Sequence, residues 1–436
     1  MTSVTTDAAE SVSIQSVTIQ SEKIGDRIIN ITANVSNIDI YEHIDKPYLT
    51  AAITFADDKD VMASANIGGG EKVEVVLQST RDESEPVSKT FYLDTVIAST
   101  KLNDNSEFFV LHLIEDIGFI SSLINVNKSY SDNPSEILKG ISSSFLGKEL
   151  LSTDNTQKKM KLIVPNLTPI EAMCWIKNMS CTTEGYPFYL LSTLVNDELM
   201  FVDLKTLISA PVINADMPYS YGEALMSTGN PLMPSHRRVI KGYKFSDTDN
   251  LLSLIKKGLV GAEYNYLNPT KKDDEELKNH YVFDVQKDVI DIMPESKYHY
   301  SDEYKVDNKS FNEFPSRTIT QVGSTDAYDE ESSYHQSAKG HYKLNTINRA
   351  IDNLIKNNPL SIIVNGVDFL DGTAHMTTGR KIAVRFMRNQ APEDTDYFYD
   401  NRKSGDFLIF AAKHSFNREE YTASLSCLKL SEGDVE

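Results

Sequence analysis

Residues 70–77 read GEKVEVVL and residues 379–386 read GRKIAVRF. Each stretch opens with a glycine and two charged residues, then alternates with the period of two that marks a strand with one buried face. In both places a polar loop comes next, then an apolar strand (FYLDTVIAS at 91–99, FLIFAAKHS at 407–415), a short polar turn, and a closing strand (FFVLHLIED at 108–116, YTASLSCLK at 421–429). A fixed order of elements that recurs is the signature of a repeated structural unit. Upstream the echo continues. RIINITANVSNIDIYEHIDKPYLTAAI from Arg27 and RVIKGYKFSDTDNLLSLIKKGLVGAEY from Arg238 hold two outer strands at nearly the same spacing, around the matching segments IDIYEHI and NLLSLI. The expectation is one β unit occurring twice, with the second copy interrupted between about Lys271 and Asn358.

Outward from these strands, the region from Ser13 to Asp116 reads as an antiparallel barrel or sandwich. Val73, Val75 and Leu77 share one face, and the same alternation puts Phe91, Leu93 and Ile97 together. EFFVLHLIED is apolar on both faces and is expected to be buried on both. The period then lengthens. SDNPSEILKGISSSFLG predicts a helix capped at Asp132 or Asn133, opened by Pro134, striped by Ile137, Ile141 and Phe145, and ended by Gly147. NLTPIEAMCWIKNMSC predicts another, with a Thr168–Glu171 capping box, Pro169 at the first position, and a stripe of Met173, Ile176 and Met179. The strands YPFYLLS and ELMFVDL follow, giving a mixed α/β domain. From Lys271 to about Asn345 the chain turns polar and charged, which suits long surface loops or a partly disordered insertion. NTINRAIDNLI reads as one more helix, capped at Asn345.

The fold class is therefore α+β and mainly β. The expected domains are 1–116 (first β unit), 117–233 (helical segment and α/β middle domain), 234–270 with 358–436 (second, discontinuous β unit) and 271–357 (charged insertion ending in a helix).

Composition sets limits on function. In 436 residues, 40% hydrophobic and 24% charged, no run approaches the roughly 20 apolar residues that a membrane-spanning helix needs. The start, MTSVTTDAAESVSIQS, lacks the basic and apolar regions of a secretory signal, so the expectation is a cytosolic product. Cys174, Cys181 and Cys427 are too few and too scattered for a disulfide framework and are expected to be reduced thiols. A formal charge of −20 argues against binding nucleic acid through its phosphates, yet suits a surface that DNA must pass without sticking.

Residues of chemical interest do not converge. His414 lies in register with Leu408, Phe410 and Ala412. It could act as a base only with an orienting carboxylate and a nucleophile, and Glu419 and Glu420 across the turn read as solvated charges. His414 and His112 are both expected to be structural core histidines. His335 and His341, six apart in an acidic tract, make a weak metal site, and no HExxH, paired CxxC or EF-hand loop occurs. GGGEK leads into a strand rather than a helix and is no phosphate cradle. Cys174 reads as an inert helical thiol, and Trp175, the single tryptophan, as core or an interface anchor. No catalytic, cofactor-binding or metal-binding residue is expected, no cofactor, and no enzyme activity.

The pattern is similar to a known family. NIDIYEHIDKPYLTAAITFADD before GGGEKVEVVL resembles the tail-tube-type barrel of baseplate hub proteins of contractile-tailed bacteriophages. VPNLTPIEAMCWIKNMS resembles the helix that opens their middle domain. NGVDFLDGTAHMTTGRKIAVRFM followed by SGDFLIFAAKHSFNREEYTASLSCLKL resembles their closing barrel strands. The resemblance spans about Ser13 to Leu430, is most specific in the last segment, and is weakest from Lys271 to Asn345. The spike proteins of type VI secretion contain a similar module. The resemblance implies two tail-tube-type antiparallel β-barrels around an α/β middle domain. It implies a structural role as a homotrimeric baseplate hub, in which three copies of two barrels form a pseudo-sixfold ring adapting a sixfold tail tube to a threefold central spike. The implied partners are the spike below, the tail tube or a tube-initiator protein above, and other baseplate proteins, with DNA only as passing cargo and no membrane insertion. The implied location is the virion tail, assembled in the bacterial host cytoplasm. The alternatives are a tail-tip enzyme that degrades cell wall and a receptor-binding module.

Overall fold

The protein is seen in a computed structural model that describes residues 12–21, 23, 25, 27–79, 85–103, 106–153, 159–221, 238–245, 251–256, 262–267, 278–283, 305–310, 313–314, 317–322, 344, 347–348, 351, 360–370, 376–388, 399–400, 403–418 and 420–429. Most of the charged insertion lies outside the described residues, as do His335, His341 and Glu419. Of the segment NTINRAIDNLI, Ile347 and Ile351 are described and are buried.

The N-terminal strands are β1 (Val12–Ser21), β2 (Arg27–Asn30), β3 (Val35–His43), β4 (Thr50–Asp57), β5 (Lys72–Ser79), β6 (Val87–Asn103) and β7 (Ser106–Glu115). They pair antiparallel in the order β3-β4-β7-β6-β5-β1-β2. Alternation sets the buried face: Val73, Val75 and Leu77 point inward while Lys72 and Glu74 point out. Val17 and Ile19 of β1 share one core with Ile38 and Ile40 of β3, at opposite ends of this order, so the sheet curls around a common interior. Its ladder does not close into a barrel among the described residues.

The middle segment carries β8 (Ser129–Asp132), β9 (Leu150–Ser152), β10 (Met160–Ile163), β11 (Phe188–Leu191) and β12 (Leu199–Asp203), in two small sheets, β10-β8 and β11-β12-β9. The helix Pro169–Asn178 starts where the sequence predicts. The Thr168 amide donates to Glu171 Oε2 at 3.0 Å, and the Glu171 amide donates back to Thr168 Oγ1 at 3.4 Å. Met173 and Ile176 are buried in the core of this segment. The helix Pro134–Ile141 runs into a π turn, Ser142–Leu146, that ends at left-handed Gly147. The wider turn shifts the helical phase, so Leu146 is buried where the stripe predicted Phe145.

The C-terminal half contributes β13 (Tyr219–Tyr221), β14 (Gly242–Phe245), β15 (Ala262–Leu267), β16 (Lys278–Phe283), β17 (Lys305–Val306), β18 (Lys309–Ser310), β19 (Arg317–Val322), β20 (Leu360–Asn365), β21 (Lys381–Phe386), β22 (Gly405–Asn417) and β23 (Tyr421–Lys429). Five of these pair in the order β14-β20-β23-β22-β21, with β13 parallel on the far edge of β21.

The two glycine-led strands match in backbone detail. Gly70 and Gly379 both have φ of +84°. The Gly70 amide donates to the Leu93 carbonyl at 2.7 Å and Leu93 returns a bond to Glu71; the Gly379 amide donates to Ile409 at 2.8 Å and Ile409 returns one to Arg380. A register shift follows at once in each ladder, after Leu93 and after Ile409.

Other expectations need correction. The strand beside β23 is Leu360–Asn365, beyond the insertion. Ala262–Leu267, which the sequence placed in the second unit, pairs with β16 and β19 in a separate sheet. IDIYEHI lies in β3 whereas NLLSLI contributes the helix Leu251–Lys256, so those middles do not match. Residues 212–221 pack with the second unit, since Val212 bridges Lys381 and Tyr219 lies in its core, so a boundary at 233 falls too late. Ile97 is 54% exposed because the shift after Leu93 reverses the inside–outside parity of β6. Of EFFVLHLIED, Leu111 and Leu113 are fully buried, whereas the outer face is half-buried and His112 is exposed. Finally, the two units are joined in one sheet. β22 is 13 residues long, enough to pair β21 with its first residues and β3 with its last along one edge, and a single 13-stranded sheet results.

Candidate functional site

The place where the two β units meet holds a buried carboxylate and a buried histidine. Seven residues of β22, Ala411 to Asn417, pair antiparallel with β3 from His43 to Asn37. On the inner face of β3 the alternation Ile38, Ile40, Glu42, Ile44 puts a carboxylate where a hydrophobe is expected, and Glu42 is only 2% exposed. Its oxygens are met from three parts of the chain. Oε1 accepts from the Leu194 amide of the middle segment at 2.6 Å, and Oε2 from the Thr378 amide at 3.3 Å and hydroxyl at 3.4 Å, just before β21. His414 Nε2 from β22 lies 3.5 Å from Oε1. Burial alone would raise the Glu42 pKa. His414 and the two backbone amides outweigh it and hold the carboxyl below its ordinary value, so the ionised form is the one the site is built for.

His414 is fully buried, and its Nδ1 lies 2.7 Å from the Tyr421 hydroxyl. A hydroxyl proton donated to Nδ1 leaves the Nε2 proton facing Glu42, the tautomer that suits both neighbours. Tyr421 is held in turn by Gly366, whose amide donates to the Tyr421 carbonyl at 3.0 Å. A Cβ on Gly366 would stand 2.4 Å from the tyrosine ring, so only glycine fits beneath it. Burial, then Glu42, Tyr219 and Asp368, push the Tyr421 hydroxyl well above its ordinary pKa, keeping it a neutral donor. Further along, Tyr219 donates to Asp368 Oδ2 at 3.1 Å, and Arg238 Nε lies 3.3 Å from the same oxygen.

The middle segment is fixed by the same means. Glu115 Oε2 at the end of β7 accepts from the Leu49 amide at 2.7 Å and from Ser192 Oγ at 3.1 Å, and Lys89 Nζ is 3.8 Å from Oε1. Lys89 also donates to the Asn196 carbonyl at 2.5 Å and reaches Asp197 at 3.1 Å. Burial raises the Glu115 pKa and Lys89 opposes it, with the net shift upward. Lys177 of the helix Pro169–Asn178 pairs with Asp45 at 2.5 Å. Glu42, Glu115 and Asp45 thus tie three parts of the chain into one body, and a buried charge stripped of its partner costs about 3–5 kcal/mol.

The residues singled out in the sequence scatter. His414 is a buried core histidine, beside Tyr421. His112 is not a core histidine: it stands on the outer face opposite Ala52 and Thr95, because β7 turns Leu111 and Leu113 inward. Cys174 is half-buried, with its thiol pushed up to about 11 by burial, and Cys181 is pushed up to about 12. Trp175 packs half-buried against the middle core. Glu420 is exposed and paired with Lys241 at 2.5 Å. Among the described residues no three His, Cys, Asp or Glu side chains cluster to hold a metal. Glu42 was the residue missed, although its charge in an inward register was visible in the alternation.

No protein family and no curated sequence matches the chain. Solved structures do match. Two of those that share its fold are tail proteins. One is the tail protein from Neisseria meningitidis, 15% identical, with 96% of this chain and 98% of that chain covered and a TM-score of 0.50. The other is a prophage tail protein from Shewanella oneidensis, 11% identical, with 96% and 100% covered and a TM-score of 0.51.

Proposed function

We propose that this chain is the structural hub of a contractile-tail baseplate, acting as a homotrimer whose six β units form a pseudo-sixfold ring between a sixfold tail tube and a threefold spike. The observation that carries this is the pair of β units with one strand order, joined edge to edge through β22 and β3. Two like units per chain let three copies present six similar surfaces on one side and three on the other. The shared fold with tail proteins supports the same role.

The outer face of the joined sheet fits a channel for passing DNA. Asn37, Asp39, Thr54, Ser361, Ser415 and Ser424 point away from the cores, and Lys413 on that face is paired with Asp39 at 2.9 Å. Small polar groups and a lysine already paired with Asp39, in a chain of net charge −20, give a phosphate backbone little to hold. The role is mechanical rather than catalytic: Glu42 and His414, the titratable pair buried at the joint, are closed off from solvent and face one another. Spike, tube and other baseplate proteins are the partners, and the virion tail is the location.

Electron microscopy of the intact particle tests this. The chain is expected on the tail axis between tube and spike, and density for it elsewhere overturns the proposal. Clearing of a cell-wall suspension by the purified chain would favour a tail-tip enzyme instead.

A further inference from the structure

The joint inside the chain has an unfilled counterpart on the outside. Laying Leu93 on Ile409, as their shared backbone bonds and bulges require, carries the match across each ladder. Leu113 falls on Cys427, Ala51 on Leu360, and Ile40 on Phe245. β6 therefore corresponds to β22, and β3 to β14. In the second unit β22 runs on past the end of β21, and that overhang is the edge on which β3 docks. In the first unit β5 pairs with β6 only as far as Tyr92, while β6 continues along β7 to Asn103. Among the described strands, none pairs with this overhang and none pairs with the outer edge of β14. Each free edge also shows a large apolar side chain, Ile97 at 54% and Tyr243 at 40% exposed. A long open strand edge is a template for another strand.

We propose that a second copy of this chain fills the gap: β14 of one copy adds antiparallel to the 94–103 overhang of β6 in the next, repeating between chains the β3–β22 joint within one. This rests on the hub proposal for the number of copies, but its residues come from the internal match alone. Joints within and between chains then alternate, and a head-to-tail contact of this kind closes if the turn per joint is right and runs on as a filament if it is not. The match also sets the register. Asp39 faces Ser415 in the internal joint; Lys244 corresponds to Asp39, and Thr100, counted through the extra bulge at Ile97, corresponds to Ser415. Lys244 of one copy is thus placed against Thr100 of the next.

The test is the full chain carrying Lys244→Cys and Thr100→Cys together, mildly oxidised and run on a non-reducing gel, beside each single variant as a control for the native cysteines. Hydrogen exchange across residues 94–103 is followed in parallel on the unmodified protein. Covalent species ending at three copies, absent from both single variants, with slowed exchange in 94–103, are the expected result. Cross-linked species running well past three support the pairing and overturn the closed ring. A trimer by light scattering with neither cross-link nor protection overturns the pairing and leaves the ring standing. A monomer at micromolar concentration overturns both.

Discussion

The Glu42 carboxylate of β3 and the His414 imidazole of β22 stand 3.5 Å apart with neither side chain exposed to solvent. The same carboxylate is the acceptor for Leu194 and Thr378, so one residue anchors both β units and the middle segment. Replacement by glutamine keeps the shape but turns an amide donor toward groups that already donate. Glu42→Gln is expected to lose about 3 kcal/mol of stability in urea unfolding. A loss within error of zero would remove Glu42 from its role at the joint.

Glu42 and Glu115 are expected to respond to pH in opposite directions. The Glu42 pKa is lowered on folding from its ordinary 4.5, so its contribution is present above that value and is lost as pH falls through the folded-state pKa. The Glu115 pKa is raised, so its contribution is present below 4.5 and is lost as pH rises through the higher folded-state value. The stability difference between wild type and Glu42→Gln should shrink on acidification from pH 5 to 3. The wild type should lose ground against Glu115→Gln from pH 4 to 7. Parallel curves for the two variants would contradict this.

Gly366→Ala places a methyl group against the ring of Tyr421. The expected cost is about 2–3 kcal/mol, as for overpacking a filled core. In a Tyr421→Ala background the same change should cost almost nothing, since the clash is gone. A double-mutant cycle in thermal or urea unfolding reads the difference, and simple additivity would place the constraint elsewhere.

Gly70→Ala and Gly379→Ala compare two positions with the same φ. At Gly70 a Cβ meets nothing within 4 Å, so the change should cost only the backbone strain of about 1–2 kcal/mol. At Gly379 the new atom would also stand 3.2 Å from Leu207 Cδ2. Gly379→Ala should therefore be the more destabilising of the two, and equal effects in chemical unfolding would count against the packing argument.

The sequence made the local elements legible and left their partners hidden. The glycine-led strands, the Thr168 capping box and the closing hairpin all follow from spacing and side-chain chemistry over a few residues. Ile97 was misplaced because a bulge leaves no mark in a period of two. Ala262–Leu267 was wrongly placed in the second unit because pairing around a long insertion depends on geometry, not on local pattern. The network at the joint was half legible. His414 stood out by type, whereas Glu42, Tyr421 and Gly366 acquire meaning only once strands from distant parts of the chain lie side by side.

Asp39 and Ser415, directly opposed where β3 meets β22, are separated by 376 residues of sequence. During synthesis β3 therefore leaves the ribosome long before the strand that covers it. Until then the nascent chain carries a bare strand able to pair with the wrong neighbour. A product that stops short of residue 405 keeps that defect permanently and cannot form the internal joint.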